Sequence, residues 1–271
     1  MSQSSLYDLA VIDNVPFGLT GTHGRFFALR LERPGWKSWA PGQFVMIRPQ
    51  GWALDMPWAR PFSICRVSTN ELVIFFQVSG RGTEKMAALR RGDRVHLWGP
   101  LCNRFAVEGG TPTLLLAGGI GIAPFVGYAE RHPTPGVLSM VFSHRQPEDC
   151  YPVETLGERI DVESFQEDGP DDLQWLLNHV RSRIAAYAAR DGLVLACGPA
   201  PFLKAVQSYA LESKARCQLS LENRMACGVG ACLGCVTKTT DKYPVPEKAG
   251  TPVQTCNHGP VFWADQISLE D

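Results

Sequence analysis

Four cysteines between residues 227 and 256 dictate what the surrounding chain must do. Cys227, Cys232 and Cys235 are separated by four and then two residues, and Cys256 follows after twenty more. Three thiolates on one short loop and a fourth from a distant stretch is the plant-type spacing around a 2Fe–2S cluster. Four thiolates must converge on two irons, and a loop that wraps the cluster supplies three of them. Gly228, Gly230 and Gly234 stand between the ligands, where glycine permits positive φ and lets backbone N–H groups point at sulfur. A structural zinc site would pair its cysteines in two separate knuckles, and only one C-x2-C pair exists in the chain. Unligated buried cysteines are common in protein cores, but four of them among glycines at this spacing are not expected by chance.

The rest of the chain is long enough for one large domain or two to three modest ones, at 271 residues. A net charge of −1 gives no basic footprint, so nucleic acid is not an expected partner. No apolar run reaches 18 residues, and MSQSSLYDLA lacks a basic-then-apolar signal pattern, so no membrane association is expected. The other cysteines, Cys65, Cys102, Cys150, Cys197 and Cys217, are scattered. That suits a reducing compartment better than a disulfide framework, and a cytoplasmic location is expected.

The first hundred residues read as short β segments, at 43–48, 62–66, 71–78 and 94–99, broken by proline and glycine. This predicts a small β barrel over residues 1–108. Within it stand Arg60-Pro61-Phe62-Ser63 and Val78-Ser79-Gly80-Arg81-Gly82-Thr83, the latter followed by a helical pattern over 84–90. Gly82 and Thr83 at that helix N-terminus would offer free N–H groups to phosphate. Taken singly, Thr83 is equally an ordinary N-cap and Arg60 an ordinary surface arginine. Together they make a clamp for a pyrophosphate.

After Gly109-Gly110 the pattern changes. Apolar runs at 111–117, 137–143, 160–165 and 193–197 alternate with helical periodicity, including Leu173, Leu176, Leu177, Val180, Ile184 and Tyr187. This predicts an α/β parallel-sheet nucleotide-binding domain over 109–216. Ligands of such sheets bind at the carboxyl ends of strands, where Gly118-Gly119-x-Gly121 and Cys197-Gly198-Pro199 fall. The first is short of a full G-x-G-x-x-G, and a plain tight turn serves equally. Cys197 alone reads more readily as a core cysteine. Residues 217–271 carry the cluster cysteines and are too few to bury much core, so the metal is expected to organise them. Residues 238–250 form a polar, proline-marked excursion before the fourth ligand.

A barrel with RPFS and GRGT, a sheet with GGIGIAP and CGP, and a cysteine loop follow one another. In this order the chain resembles the ferredoxin–NADP reductase superfamily along nearly its whole length. Within it, Ser220-Leu221-Glu222-Asn223-Arg224-Met225-Ala226-Cys227-Gly228-Val229-Gly230-Ala231-Cys232, with Cys256 and Gly259-Pro260-Val261-Phe262, is similar to the electron-transfer subunits of type B dihydroorotate dehydrogenase. The resemblance implies FAD on the Arg60-Pro61-Phe62-Ser63 segment, with the arginine at the pyrophosphate and the serine near flavin N5. Gly82 and Thr83 would add pyrophosphate contacts, and Phe76, Gln77 and Val78 would bring backbone to the flavin. Gly119, Gly121, Cys197, Gly198 and Pro199 would shape a nicotinamide pocket, and Cys227, Cys232, Cys235 and Cys256 would hold the cluster. Phe62 departs from the tyrosine of the wider superfamily. The twenty-residue gap before Cys256 exceeds the expected length, so an altered loop is expected there. Ser143, His144 and Arg145 follow the second sheet strand, where adenosine ribose would sit; Arg145 meets a 2′-phosphate or is simply solvated, which leaves NAD and NADP undistinguished.

Nicotinamide exchanges hydride, a 2Fe–2S cluster exchanges single electrons, and a flavin does both. No general base is needed for the hydride step, so no catalytic acid or base is nominated and the six histidines are expected to be structural or superficial. The resemblance implies a subunit that passes electrons between a dihydroorotate dehydrogenase catalytic subunit carrying FMN and NAD, in pyrimidine biosynthesis, in an assembly of two of each chain. The alternative keeps the chemistry and changes the partner, to an NAD(P)H-dependent ferredoxin or sulfide oxidoreductase. A zinc-stabilised binding module is the reading from another class, and it predicts a colourless protein. Cys232→Ser is expected to abolish the visible cluster absorption and leave flavin bound; a spectrum unaffected by the substitution would contradict the ligand assignment.

Overall fold

The computed structural model describes residues 6–18 and 25–269. Its amino-terminal half is a seven-stranded antiparallel sheet. The strands are β1 (Leu6–Phe17), β2 (Phe26–Glu32), β3 (Phe44–Pro49), β4 (Arg60–Ser63), β5 (Arg66–Val67), β6 (Glu71–Gln77) and β7 (Arg94–Leu101), with helix α1 (Arg81–Ala87) between the last two. The order β4-β3-β7-β1-β2-β6-β5 places strands that are neighbours in sequence at opposite edges, so the sheet curls into a half-barrel. Its inside is filled by Leu29, Leu31, Val45, Ile47, Leu72, Ile74 and Leu97, all fully buried. Strands β1 and β2 were not anticipated individually. β1 mixes buried, half-buried and exposed positions without regular alternation, so it lacks the period-2 signal of a half-buried strand.

The second half is a six-stranded sheet in the order β10-β9-β8-β11-β12-β15. Strands β8 (Thr113–Gly118), β9 (Leu138–His144), β10 (Asp161–Gln166), β11 (Leu193–Cys197) and β12 (Arg216–Ser220) run parallel. Helices α2 (Ala123–Arg131), α3 (Val153–Gly157), α4 (Pro170–Ala188) and α5 (Ala200–Ser213) cover it. β8, β9 and β11 are buried at every position, as parallel strands sandwiched by helices must be. In α4, Leu176, Val180, Ile184 and Tyr187 face the core, whereas Leu173, expected on the same stripe, is exposed near the helix start.

The C-terminal segment holds β13 (Val236–Thr239), β14 (Pro252–Gln254), α6 (Thr255–His258), β15 (Val261–Trp263) and β16 (Ile267–Ser268). The expectation that metal alone organises it needs correction. β15 pairs antiparallel with β12 at the edge of the parallel sheet, and Phe262, Ala264, Ile267, Tyr243 and Val253 join the core beneath α4 and α5. Gln207 of α5 is buried and donates to the carbonyls of Ala264 and Ile267 at 2.7 and 2.8 Å. The 238–250 stretch is a closed hairpin connection, tied by Thr239 N–H to Thr251 O at 3.1 Å and Gly250 N–H to Thr240 O at 3.1 Å. Because Phe262 is part of the sheet domain's core, Phe262→Ala should lower the stability of the whole chain by about 3–5 kcal/mol. Chemical denaturation of the native and variant proteins would read this; a change confined to the cluster absorption would contradict it.

Candidate cofactor and metal site

A cavity of about 760 Å3 opens between the half-barrel and the parallel sheet, within the size range of cofactor sites. On the barrel side its wall is β4, from Arg60 to Ser63, with Phe76, Gln77, Ser79 and Thr83. Arg60 runs along α1: a Cβ built on Gly82 would lie 2.8 Å from its Nε. The guanidinium is anchored by donating to the Trp58 carbonyl at 2.8 Å and lies 5.4 Å over the Trp52 ring. Arginine and helix start therefore do meet. The helix, however, begins earlier than the sequence suggests, at Arg81 after Gly80. Thr83 is thus its third residue, not its N-cap. Its hydroxyl accepts from the N–H of Ser79 at 2.9 Å and of Gly80 at 3.2 Å, which fixes the turn into the helix. Val78 is turned into the barrel core instead of the cavity.

On the sheet side the wall is Ile120 and Ala123 after β8, and Cys197 at the end of β11. Gly119, Gly121, Gly198 and Pro199 adjoin these residues in the chain but do not line the cavity. A Cβ on Gly121 would come 2.2 Å from the Cys197 carbonyl oxygen, so only glycine lets the two strand-end turns pack back to back. Arg145 stands at the end of β9 with its Nε 3.7 Å from Glu167. His144 is buried, its ring stacked on Phe142 and bonded to the Gln146 carbonyl and the Ser164 hydroxyl.

The floor is Ser220 to Met225, with Pro260 and Phe44. Most of these went unassigned, although they directly precede Cys227 in the sequence. Glu222 is the consequential one. It lines the cavity as an exposed residue. Burial raises its carboxyl above the ordinary carboxylate range. Burial, with the Glu222 charge nearby, also raises the Cys197 thiol. A carboxyl and a thiol, both shifted toward their protonated forms, thus stand near one another in the cavity.

The cysteines meet in twos. Cys227 and Cys232 have their sulfurs 3.3 Å apart, near the roughly 3.8 Å expected of two thiolates on one tetrahedral metal with bonds of about 2.3 Å. Cys235 and Cys256 are buried and interact with one another beneath. Among the described residues no three metal-ligating side chains gather around a single point. Two thiol pairs are what a two-iron cluster requires. Burial acts to raise the Cys227 thiol, but N–H groups of Val229 (3.5 Å), Cys232 (3.4 Å) and Ala231 outweigh it and hold the thiol at about 7, favouring the ligating thiolate. Cys256, with burial and Cys235 beside it, is pushed up to about 12. Gly228 and Gly230 take positive φ, +69° and +82°, as expected, but the third such residue is Leu233 at 56° and not Gly234. Cys102, read as one of the scattered cysteines, reaches this site and donates its thiol to the Cys256 carbonyl.

The loop is docked on the barrel: Trp98 Nε1 donates to the Cys227 carbonyl at 3.3 Å, and Met46 packs against Gly228. Phe44, Met46 and Leu101 form one buried group with Cys235 and Cys256, against which Met225 packs. Phe44 and Met225 also line the large cavity, so the two sites share walls.

Solved structures share the fold. That of an NADH-dependent reduced ferredoxin-NADP oxidoreductase superposes with a TM-score of 0.75 at 20% identity, covering 99% of this chain and 92% of that one. The ferredoxin-NADP+ reductase of Plasmodium falciparum gives 0.67 at 13%, covering 82% and 99%. The architecture is thus of the ferredoxin–NADP reductase class, extended by a cysteine loop. Residues 222–268 match the iron-sulfur cluster binding domain of dihydroorotate dehydrogenase B. The dihydroorotate dehydrogenase B (NAD(+)) electron transfer subunit of Caldanaerobacter subterraneus subsp. tengcongensis is 34% identical over 84% of this chain and 86% of its own. That of Lysinibacillus sphaericus is 33% identical over 90% and 93%. The chain belongs to the family of dihydroorotate dehydrogenase B electron transfer subunits.

Arg60→Ala should weaken flavin retention at least tenfold, since hydrogen bonds to a charged group contribute about 1.5–3 kcal/mol. Flavin released on dilution, read by fluorescence, checks this, and retention equal to that of the native chain would contradict it.

Proposed function

We propose that this chain passes electrons between NAD and a dihydroorotate dehydrogenase catalytic subunit, through FAD in the large cavity and a 2Fe–2S cluster on Cys227, Cys232, Cys235 and Cys256. The observation that carries the proposal is the pair of walls, Phe44 and Met225, that the cavity shares with the cysteine site. Bound together, a flavin and such a cluster supply the conversion between hydride chemistry and single-electron transfer.

The chain's own residues bind and orient. Arg60 and the start of α1 hold the pyrophosphate, and Ser63 offers a hydroxyl to the flavin ring. The turns of Gly119 to Gly121 and Cys197 to Pro199 leave room for nicotinamide against the cavity's sheet side. Glu222 lines the cavity near the thiol of Cys197. The cluster loop turns Val229, Leu233 and Val236 outward, each about half exposed at 48%, 60% and 49%. An apolar rim next to a redox centre suits a docked partner, and we place the catalytic subunit there, in an assembly of two of each chain. No helix among the described residues is long and apolar enough to cross a membrane, in keeping with a cytoplasmic location.

The partner is tested by mixing the chain with the catalytic subunit from the same organism, dihydroorotate and NAD+. NADH formation that requires both chains is expected. Its absence, with both cofactors present by spectrum, would move the partner to a ferredoxin or sulfide oxidoreductase.

A further inference from the structure

A second cavity, of about 330 Å3, shares no lining residue with the first. It lies where residues 33–39, the connection between β5 and β6, and the last residue of α2 come together. Three cations line it, Arg33, Lys37 and Arg131, and no carboxylate does. None of the three has a carboxylate partner among the described residues. Neighbouring acids are engaged elsewhere: Glu71 pairs with Arg30 at 2.8 Å and Glu130 with Arg66 at 3.5 Å. A concavity lined by cations and no carboxylate attracts anions.

Trp36 and Trp39, each 8% exposed, also line the cavity. Arg131 lies with its guanidinium 5.1 Å over the Trp39 ring, and a planar guanidinium fork suits the oxygens of a phosphate.

We infer that this cavity binds a phosphate monoester of a sugar or nucleoside. Size separates the ester from the bare anion: the volume equals roughly eleven waters at ~30 Å3 each, which inorganic phosphate leaves mostly unfilled. The hydroxyls of Ser38, Ser68 and Thr69 suit a sugar, and the two indoles suit a ring. The occupant would tie the half-barrel to α2, whose first residue, Ala123, lines the flavin cavity.

The test is calorimetric titration of the flavin- and cluster-loaded protein with uridine 5′-monophosphate, chosen because it lacks the adenine that a nicotinamide dinucleotide site accepts. Ribose 5-phosphate, inorganic phosphate and uridine serve as the other probes. The monophosphate should bind at least tenfold more weakly to Lys37→Gln and to Lys37→Gln/Arg131→Gln, while both variants keep the native flavin and cluster spectrum and NADH-driven dye reduction. Inorganic phosphate should bind more weakly than either ester, and uridine not at all. Failure of both esters to bind at millimolar concentration would overturn the inference. So would equal binding by the exposed Lys37→Gln variant, uridine binding as tightly as its monophosphate, or inorganic phosphate matching the esters. Because dye reduction is followed in parallel, none of these results bears on the electron-transfer proposal.

Discussion

Asn103 fastens the C-terminal segment to the end of the barrel, and both cofactor sites depend on that attachment. Its backbone N–H donates to the Gly259 carbonyl at 3.0 Å, its side-chain amide donates to the His258 carbonyl at 3.1 Å, and its side-chain oxygen accepts from the Val261 N–H at 3.0 Å. The same amide also donates to the Val261 carbonyl, so a single residue just past β7 satisfies four backbone groups around the turn that follows Cys256. Cys102 reaches the Cys256 carbonyl from the adjoining position. Cys256, the proposed fourth ligand, is thereby held beside Cys235 by the barrel as well as by its own loop. Without this seam, Phe44 and Met225 would not stand between the cysteines and the flavin cavity.

The same seam explains how so short a C-terminal segment is stable. Its β15 extends a sheet that is already buried, and Phe262 enters a core built by α4, α5 and β12. Metal ligation then arranges a loop on an existing scaffold instead of supplying a core. The hairpin connection within the gap before Cys256 packs Tyr243 inward, and its hydroxyl meets His258 at 3.2 Å.

Much of this was legible because it is local. The cysteine spacing, the β4 segment from Arg60 to Ser63, and the apolar runs of β8, β9 and β11 carry their signals within a few residues. Cys197 and Gly121 were nominated at strand ends, where parallel sheets open, and the close approach of Gly121 to the Cys197 carbonyl is the reason for glycine. What escaped depends on distant partners. β1 is defined by pairing with β2 and β7, β15 by finding the edge of β12, and Cys102 by a contact 154 residues away. Glu222 was in plain view beside the cysteine motif, but its place in the cavity comes from the meeting of two domains, which no spacing announces. Thr83 was assigned to the right turn and the wrong position, since glycine-rich helix starts carry no sharp boundary signal.

The central claim is that one chain carries electrons from nicotinamide to cluster by way of the flavin cavity. The most direct measurement is anaerobic addition of NADH to the loaded protein, followed by electron paramagnetic resonance of the cluster, with a flavin-depleted sample beside it. The account predicts a reduced-cluster signal in the loaded protein and none without flavin. A cluster that stays silent while NADH bleaches the flavin, or one that NADH reduces without flavin, would contradict it.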